Sequence, residues 1–157
     1  MKTAYNFGNG KYDPGAFFYA YSPICKEYAI FRQEENCIVN AEGNSTFGYE
    51  YISILEKTPH SGTVVVETEC QFEKFGAPII VFTDDLRMDG NDYPIYGKHF
   101  EVVAYEDGIN IWHIVPCPEK VEYPVDPTLL ASKKFSIDAN SLIQMKVVIE
   151  KDCIKAW

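Results

Sequence analysis

The 157-residue chain has no uninterrupted apolar run of about 18 residues, the length a helix needs to cross a bilayer, so no membrane span is expected. Met1-Lys2-Thr3-Ala4-Tyr5-Asn6 is not followed by an apolar stretch, so no signal peptide is expected either. Histidine is scarce. His60, His99 and His113 form neither His-x-His nor His-Glu-x-x-His, which argues against catalytic zinc. There is no Gly-x-Ser-x-Gly elbow, no phosphate-binding loop and no Cys-His motif for a thiol nucleophile. The five cysteines, Cys25, Cys37, Cys70, Cys117 and Cys153, contain no Cys-x-x-Cys pair, and their odd number fits poorly with a disulfide framework. Reduced thiols in a cytoplasmic protein are the expectation, which makes the sequon Asn44-Ser45-Thr46 incidental. Positive charge is also short. Fourteen basic residues against 23 acidic ones leave a net charge of −9, and the basic residues are scattered rather than gathered into a phosphate-binding stripe. No nucleic-acid or membrane partner is expected.

What the chain does have is aromatic residues, 15% of the total, with eleven Tyr and ten Phe. These suit strands and contact surfaces. The length predicts one domain over residues 1–157. The clearest element is residues 99–115, two β-rich runs flanking Asp107-Gly108. Asp-Gly can adopt the positive φ angles of a type I′ turn, which predicts a hairpin with Glu106 facing Ile109 and Val103 facing Trp112. Alternation then gives a core face of Phe100, Val102, Ala104, Ile109, Ile111 and Val115, with His113 on the same side. The other face carries His99, Glu101, Val103, Tyr105, Asn110, Trp112 and Ile114.

Elsewhere the pattern predicts short strands at Phe17–Tyr21, Tyr28–Gln33, Cys37–Asn40, Tyr49–Leu55, Thr63–Phe72 and Pro78–Thr83. Asp84–Tyr93 reads as a loop. Pro116–Pro127, with its prolines, reads as an extended crossover between sheets, and Phe135–Ile137 as an edge strand. Leu142–Lys155 predicts a second hairpin turning at Lys151-Asp152, with Ile154 and Ala156 returning on the face of Ile143, Met145, Val147 and Ile149. Many short strands and no helix mean an all-β, antiparallel sandwich or barrel, with a core from Val64, Val66, Phe72, Phe100, Val102, Ile109, Ile111, Val147 and Ile149.

Over residues 50–157 the order of these segments resembles the concanavalin A-like lectin/glucanase (laminin G-like) jelly rolls. Ser61–Phe72 followed by Gly76–Phe82 is similar to their central paired strands, and Gly108-Ile109-Asn110-Ile111-Trp112 to a hairpin ending "G-x-N-x-W". Phe135-Ser136-Ile137 and Leu142–Trp157 are similar to their late strand pair. The resemblance implies a jelly-roll β-sandwich and a carbohydrate ligand on a concave sheet face. In that fold more chain normally follows the last pair, whereas here the sequence stops at Trp157, so a missing closing strand and a homodimer are expectations. The laminarinase-type members carry Glu-x-Asp-x-x-Glu on one strand; Glu67-Thr68-Glu69-Cys70-Gln71-Phe72 has two of those three carboxylates.

The residues themselves frame three candidate sites. Trp112, Tyr105, His99, Glu101 and Asn110 combine rings that can stack on the C–H face of a sugar with groups that can bond its hydroxyls. The alternative is that the rings pack under a loop and Glu101 is a solvated carboxylate. Glu67 and Glu69 point to one side of a strand, and on a shared face with Glu101 they could supply an acid and a base for glycoside cleavage; otherwise they are a wet face. Asp84, Asp85, Asp89, Asn91 and Asp92 offer oxygens to calcium, without the EF-hand spacing, or form a solvated turn. The readings kept open are a non-catalytic lectin-like domain, a small glycoside hydrolase or lyase, and a self-associating sandwich without a small ligand.

Overall fold

The computed structural model describes residues 2–8, 13–21, 31–40, 52–72, 77–88, 94–121 and 124–157. In chain order the strands are β1 (Phe17–Tyr21), β2 (Phe31–Gln33), β3 (Ile38–Asn40), β4 (Ile52–Glu56), β5 (Val64–Cys70), β6 (Ile79–Phe82), β7 (Leu86–Met88), β8 (Pro94–Tyr96), β9 (His99–Tyr105), β10 (Gly108–Pro116), β11 (Val125–Lys134), β12 (Ile143–Glu150) and β13 (Cys153–Ala156). The fold is all-β, with several antiparallel sheets and, among the described residues, no α-helix. Two compact units partition the chain: residues 1–59 with 86–96, and residues 60–85 with 97–157.

In the first unit the sheet order is β4-β1-β8-β7, with β2 and β3 as a separate pair. Asp13-Pro14-Gly15 opens it as a short 3-10 turn. The Gly15 N–H donates to Asp13 Oδ1 at 2.8 Å and Pro14 supplies the fixed φ, the local bonding that makes such triplets turn formers. Phe17 is buried, with the rings of Tyr5 and Phe7 at 4.7 and 6.0 Å. The Tyr5 hydroxyl donates to Glu56 Oε1 at 2.6 Å, and that bond to the carboxylate holds the phenol's pKa up at about 12. The acidic loop expected at Asp84–Tyr93 contains strand β7, paired with β8.

The second unit is a two-sheet sandwich. One sheet runs β11-β10-β9-β6 and the other β13-β12-β5. Val102, Ala104 and Ile111 of the first meet Met145 and Val147 of the second in one buried cluster, with Cys70, Ile80, Phe82, Ile109, Ile143, Ile149, Ile154 and Ala156 packed against it. Strict alternation explains this. In β5 the half-buried Val64, Val66, Thr68 and Cys70 alternate with exposed Val65, Glu67 and Glu69, the period-two pattern of a strand with one wet side. The β12–β13 hairpin turns at Lys151-Asp152, pairing Ile149 with Ile154 and Val147 with Ala156.

Three expectations about strand pairing need correction; in addition, Phe135–Ile137 is not a strand and Val115 is exposed. Thr63–Phe72 and Pro78–Thr83 do not pair with each other: β5 pairs with β12 and β6 with β9, so they lie in opposite sheets. The proline-rich stretch is not a crossover between sheets. Cys117 N–H donates to the Pro124 carbonyl at 2.8 Å and returns the chain into the same sheet as β11. Its prolines are tolerated because Pro116 ends β10 and Pro127 lies on an edge strand.

The third correction is the central register. Tyr105 faces Gly108, Val103 faces Asn110 and Glu101 faces Trp112, so Glu106 and Asp107 make the turn. Among the described residues only Asn140, outside the glycines, has positive φ, so this is not a type I′ turn. Gly108 has φ +145°, and a Cβ there would sit 2.2 Å from the Lys133 carbonyl oxygen of β11. Glycine is required by that neighbour, one residue later than the turn. The slip is by two positions, so the division of side chains between the faces is unchanged.

Candidate functional site

The outer face of the β9–β10 hairpin is built in rows across three strands. From the turn inward, Tyr105, Gly108 and Lys134 form one row; Val103, Asn110 and Ser132 the next; Glu101, Trp112 and Leu129 the third; His99, Ile114 and Pro127 the last. The five residues expected to form a sugar-binding surface therefore share one face. Their exposure is graded along it. His99 is fully buried, Glu101 is 8% exposed and Ile114 is buried, whereas Trp112, Asn110 and Tyr105 are half-buried and Ser132 and Lys134 are exposed. The face closes toward His99 and opens toward the turn.

At the closed end, His99 Nδ1 lies 2.8 Å from the Gly97 carbonyl and Nε2 lies 3.1 Å from Glu101 Oε1. At the open end the row across Gly108 has a gap where its side chain would be. Lys134 reaches over it, placing Nζ 5.2 Å from the centre of the Tyr105 ring and 2.6 Å from Asp107 Oδ2. The Lys134 ammonium is held above its usual range, first by its bond to Asp107 and then by that to Tyr105. Trp112 lies two rows further in. It sits where β11 carries a bulge: Ile111 faces Ala131 but Trp112 faces Leu129. Bulges re-aim side chains beside functional surfaces. Asn110 Oδ1 is buried with no hydrogen-bond partner among the described residues, a polar atom that calls for an explanation.

On the opposite, inner face, His113 lies where alternation puts it. Phe82, Phe100 and His113 are directly paired across β6, β9 and β10, and their rings stack at 5.2 and 4.7 Å.

The acidic candidates separate. Glu67 and Glu69 project from the outer side of the β5 sheet, Glu67 accepting from Lys146 Nζ at 2.6 Å and Glu69 from Gln144 Nε2 at 3.2 Å. Glu101 projects from the outer side of the other sheet, so the core lies between them. The pair of carboxyls that glycoside cleavage places about 5–9.5 Å apart is not formed by Glu101 with either. Asp84 is exposed. Asp85 is a brace: its Oδ2 accepts from the Lys98 N–H at 2.8 Å, and its own N–H donates to Thr83 Oγ1 at 2.8 Å. Asp89, Asn91 and Asp92 lie outside the described residues. Among the described residues no three His, Cys, Asp or Glu side chains are grouped to hold a metal.

Sequence reasoning missed a cleft of about 330 Å³ at the mouth of the sandwich, between Ala104 and Ile109 of one sheet and Ile143 to Met145 of the other. Exposed Phe135, Leu142 and Trp157 line it with Ser136, Asp138 and Gln144. Its wall is pinned: Phe135 and Ile137 donate to the carbonyls of Asp107 and Glu106, and Asn140, at φ +67°, donates to that of Phe72. Three unpaired large apolar residues, Phe135, Leu142 and Trp157, were its only sequence signal.

Compared with known proteins, the chain matches no family model, no curated protein and no solved structure.

Proposed function

We propose that this chain is a non-catalytic carbohydrate-binding β-sandwich, a lectin-like domain of concanavalin A-like, jelly-roll kind, that takes a glycan on the open end of the β9–β10 outer face. The observation that carries the reading is the grouping of Trp112, Asn110 and Tyr105 on one face, half-buried, beside exposed Ser132 and Lys134. A pyranose presents an apolar C–H face to a ring such as Trp112. Its hydroxyls take bonds from Ser132, the Asn110 amide and the Lys134 ammonium. His99 and Glu101 serve beneath the surface, fixing the strand that flanks Trp112. Glu101 stands away from Glu67 and Glu69, which favours binding over hydrolysis. The reading includes no bound calcium and a cytoplasmic location, with Cys70, Cys117 and Cys153 as free thiols.

The test is a glycan array on the full chain, followed by incubation of each hit with the protein and measurement of new reducing ends. Saturable binding without release supports the reading. Release of reducing ends from a hit makes it an enzyme, and an array with no saturable hit removes the carbohydrate reading altogether.

A further inference from the structure

Strand β5 is an edge of the sheet β13-β12-β5, and the strands behind it fix which of its backbone groups face outward. Lys146 and Trp157 exchange both backbone bonds, at 3.0 and 2.9 Å, so Lys146 directs its N–H and C=O at β13. Along an antiparallel ladder the residues on either side direct theirs the other way. Met145 and Val147 therefore bond β5, where they pair with Thr68 and Val66. The register from Val64 to Cys70 has no bulge. Val65, Glu67 and Glu69 are left pointing their backbone groups away from the sheet, and among the described residues no strand pairs with them. None of the three is proline, so each keeps its N–H. The Glu69 carbonyl takes a long contact from Thr68 Oγ1, at 3.4 Å, and a carbonyl has a second lone pair.

The side chains of these three residues stand on the outer face, and all are exposed, Val65 at 52%. On the inner face Val64, Val66, Thr68 and Cys70 are half-buried, whereas Met145 and Val147 of central β12 are fully buried. An edge of seven regular residues is a form that accepts another strand. Its charge selects which strand. Glu67 accepts from Lys146, but among the described residues Glu69 meets only the neutral Gln144 amide. The net charge of −9 also draws a basic segment toward the chain. A second copy of β5 is a poor occupant: antiparallel pairing in full overlap sets Glu67 opposite Glu67 and Val65 opposite Glu69.

We infer that β5 takes an extended segment of a partner protein as a further, antiparallel strand, and that this segment carries Lys or Arg at every second residue with β-branched residues between. Residues directly opposite each other across a ladder share a face. The partner residues that bond Glu67 and Glu69 therefore stand beside those carboxylates, and a basic side chain there neutralises Glu69. Opposite Val65, the aliphatic stem of a Lys or Arg covers the exposed valine. The residues between face inward, opposite Val66 and Thr68, and extend the half-buried margin of the core. Backbone bonds supply the grip and the alternate side chains the choice. This inference does not depend on the carbohydrate reading.

The test is fluorescence anisotropy with a labelled, end-blocked Lys-Thr-Lys-Val-Lys-Thr-Lys peptide, titrated with the full chain up to about 300 μM, a range that covers weak pairing. Saturable binding is expected, and none for the same peptide with Glu in place of Lys. Methylating the lysine backbone nitrogens keeps the charge and removes the N–H donors, and is expected to weaken binding at least about tenfold. Val65→Pro removes a donor from the open side of β5 without touching a bond to β12. With its far-UV circular dichroism unchanged, it is expected to weaken binding to a similar extent, as is Glu69→Lys. No saturable binding overturns the inference. So does a methylated peptide that binds as tightly as the parent, or equal binding of the Lys and Glu peptides. Self-association of the chain in sedimentation velocity that Val65→Pro abolishes would make a second copy the occupant and overturn it too.

Discussion

His99 and Glu101 form a pair that requires a proton between them. A carbonyl oxygen can only accept, so the 2.8 Å contact to Gly97 assigns a hydrogen to His99 Nδ1. The 3.1 Å contact from Nε2 to Glu101 Oε1 then needs a second hydrogen, on the ring or on the carboxyl. Two bare acceptors would otherwise face each other in a buried site. The two side chains stand on the same face of β9, and their pairing locks the strand that flanks Trp112.

This pairing sets an order of stabilities. Glu101→Gln keeps a carbonyl oxygen and gains an N–H₂ that can donate to neutral Nε2, so its cost is small, about 1 kcal/mol. Glu101→Ala and His99→Ala each remove one side of a buried polar contact and cost about 3–5 kcal/mol. Urea unfolding with an unchanged m-value measures the difference. Equal losses for Gln and Ala would contradict the shared proton.

Gly108→Ala destabilises by more than about 2 kcal/mol, because its Cβ meets the Lys133 carbonyl oxygen at 2.2 Å and its φ of +145° is strained for any L side chain. That oxygen is backbone, not the end of a flexible side chain. Gly62→Ala is the control: it shares a positive φ of +77° but has open space around it, so its loss is smaller. Thermal unfolding of the two variants side by side measures this.

Thiol reactivity separates the cysteines. Burial pushes the Cys70 thiol from 9.0 up to about 11, which lowers its thiolate fraction at pH 8 about a hundredfold. Cys37 and Cys153 are exposed. Alkylation of the native protein followed by peptide mass analysis is expected to label these two early and Cys70 late. The thiol's folded pKa is raised, so its contribution to stability is full below about pH 9 and is lost as pH rises toward about 11. Cys70→Ser or Cys70→Ala flattens that part of the stability profile.

Period-two alternation carried the parts of the fold that were legible in the sequence. The β12–β13 hairpin, its turn at Lys151-Asp152 and its inward residues follow from it directly. The two faces of β9 and β10 also survive, because a register slip of two preserves parity even though Asp107-Gly108 pointed to the wrong turn. Strand β11 was invisible for the same reason: Thr128 to Lys134 is exposed on both sides, so no alternation marks it. The sheet membership of β5 and β6 was also hidden, since hydropathy shows which face is buried but not which neighbour is bonded. At the candidate site the grouping of Trp112, Tyr105 and Asn110 could be read. The burial of His99 and Glu101 could not, because a paired acid and base alternate like a wetted face. The cleft joins Phe135 to Trp157 through folding alone.

The most direct test of the carbohydrate reading uses the chain's two tryptophans, Trp112 and Trp157. In Trp157→Phe the only indole left is Trp112, half-buried on the outer face. Titration of that variant with an array-positive glycan is expected to change its fluorescence saturably. Trp112→Ala, with its circular dichroism unchanged, is expected to bind the same glycan about ten- to a hundredfold more weakly, as loss of an aromatic anchor worth about 1–3 kcal/mol would give. Equal affinity in folded Trp112→Ala, or a glycan that leaves the Trp112 signal untouched, contradicts the account.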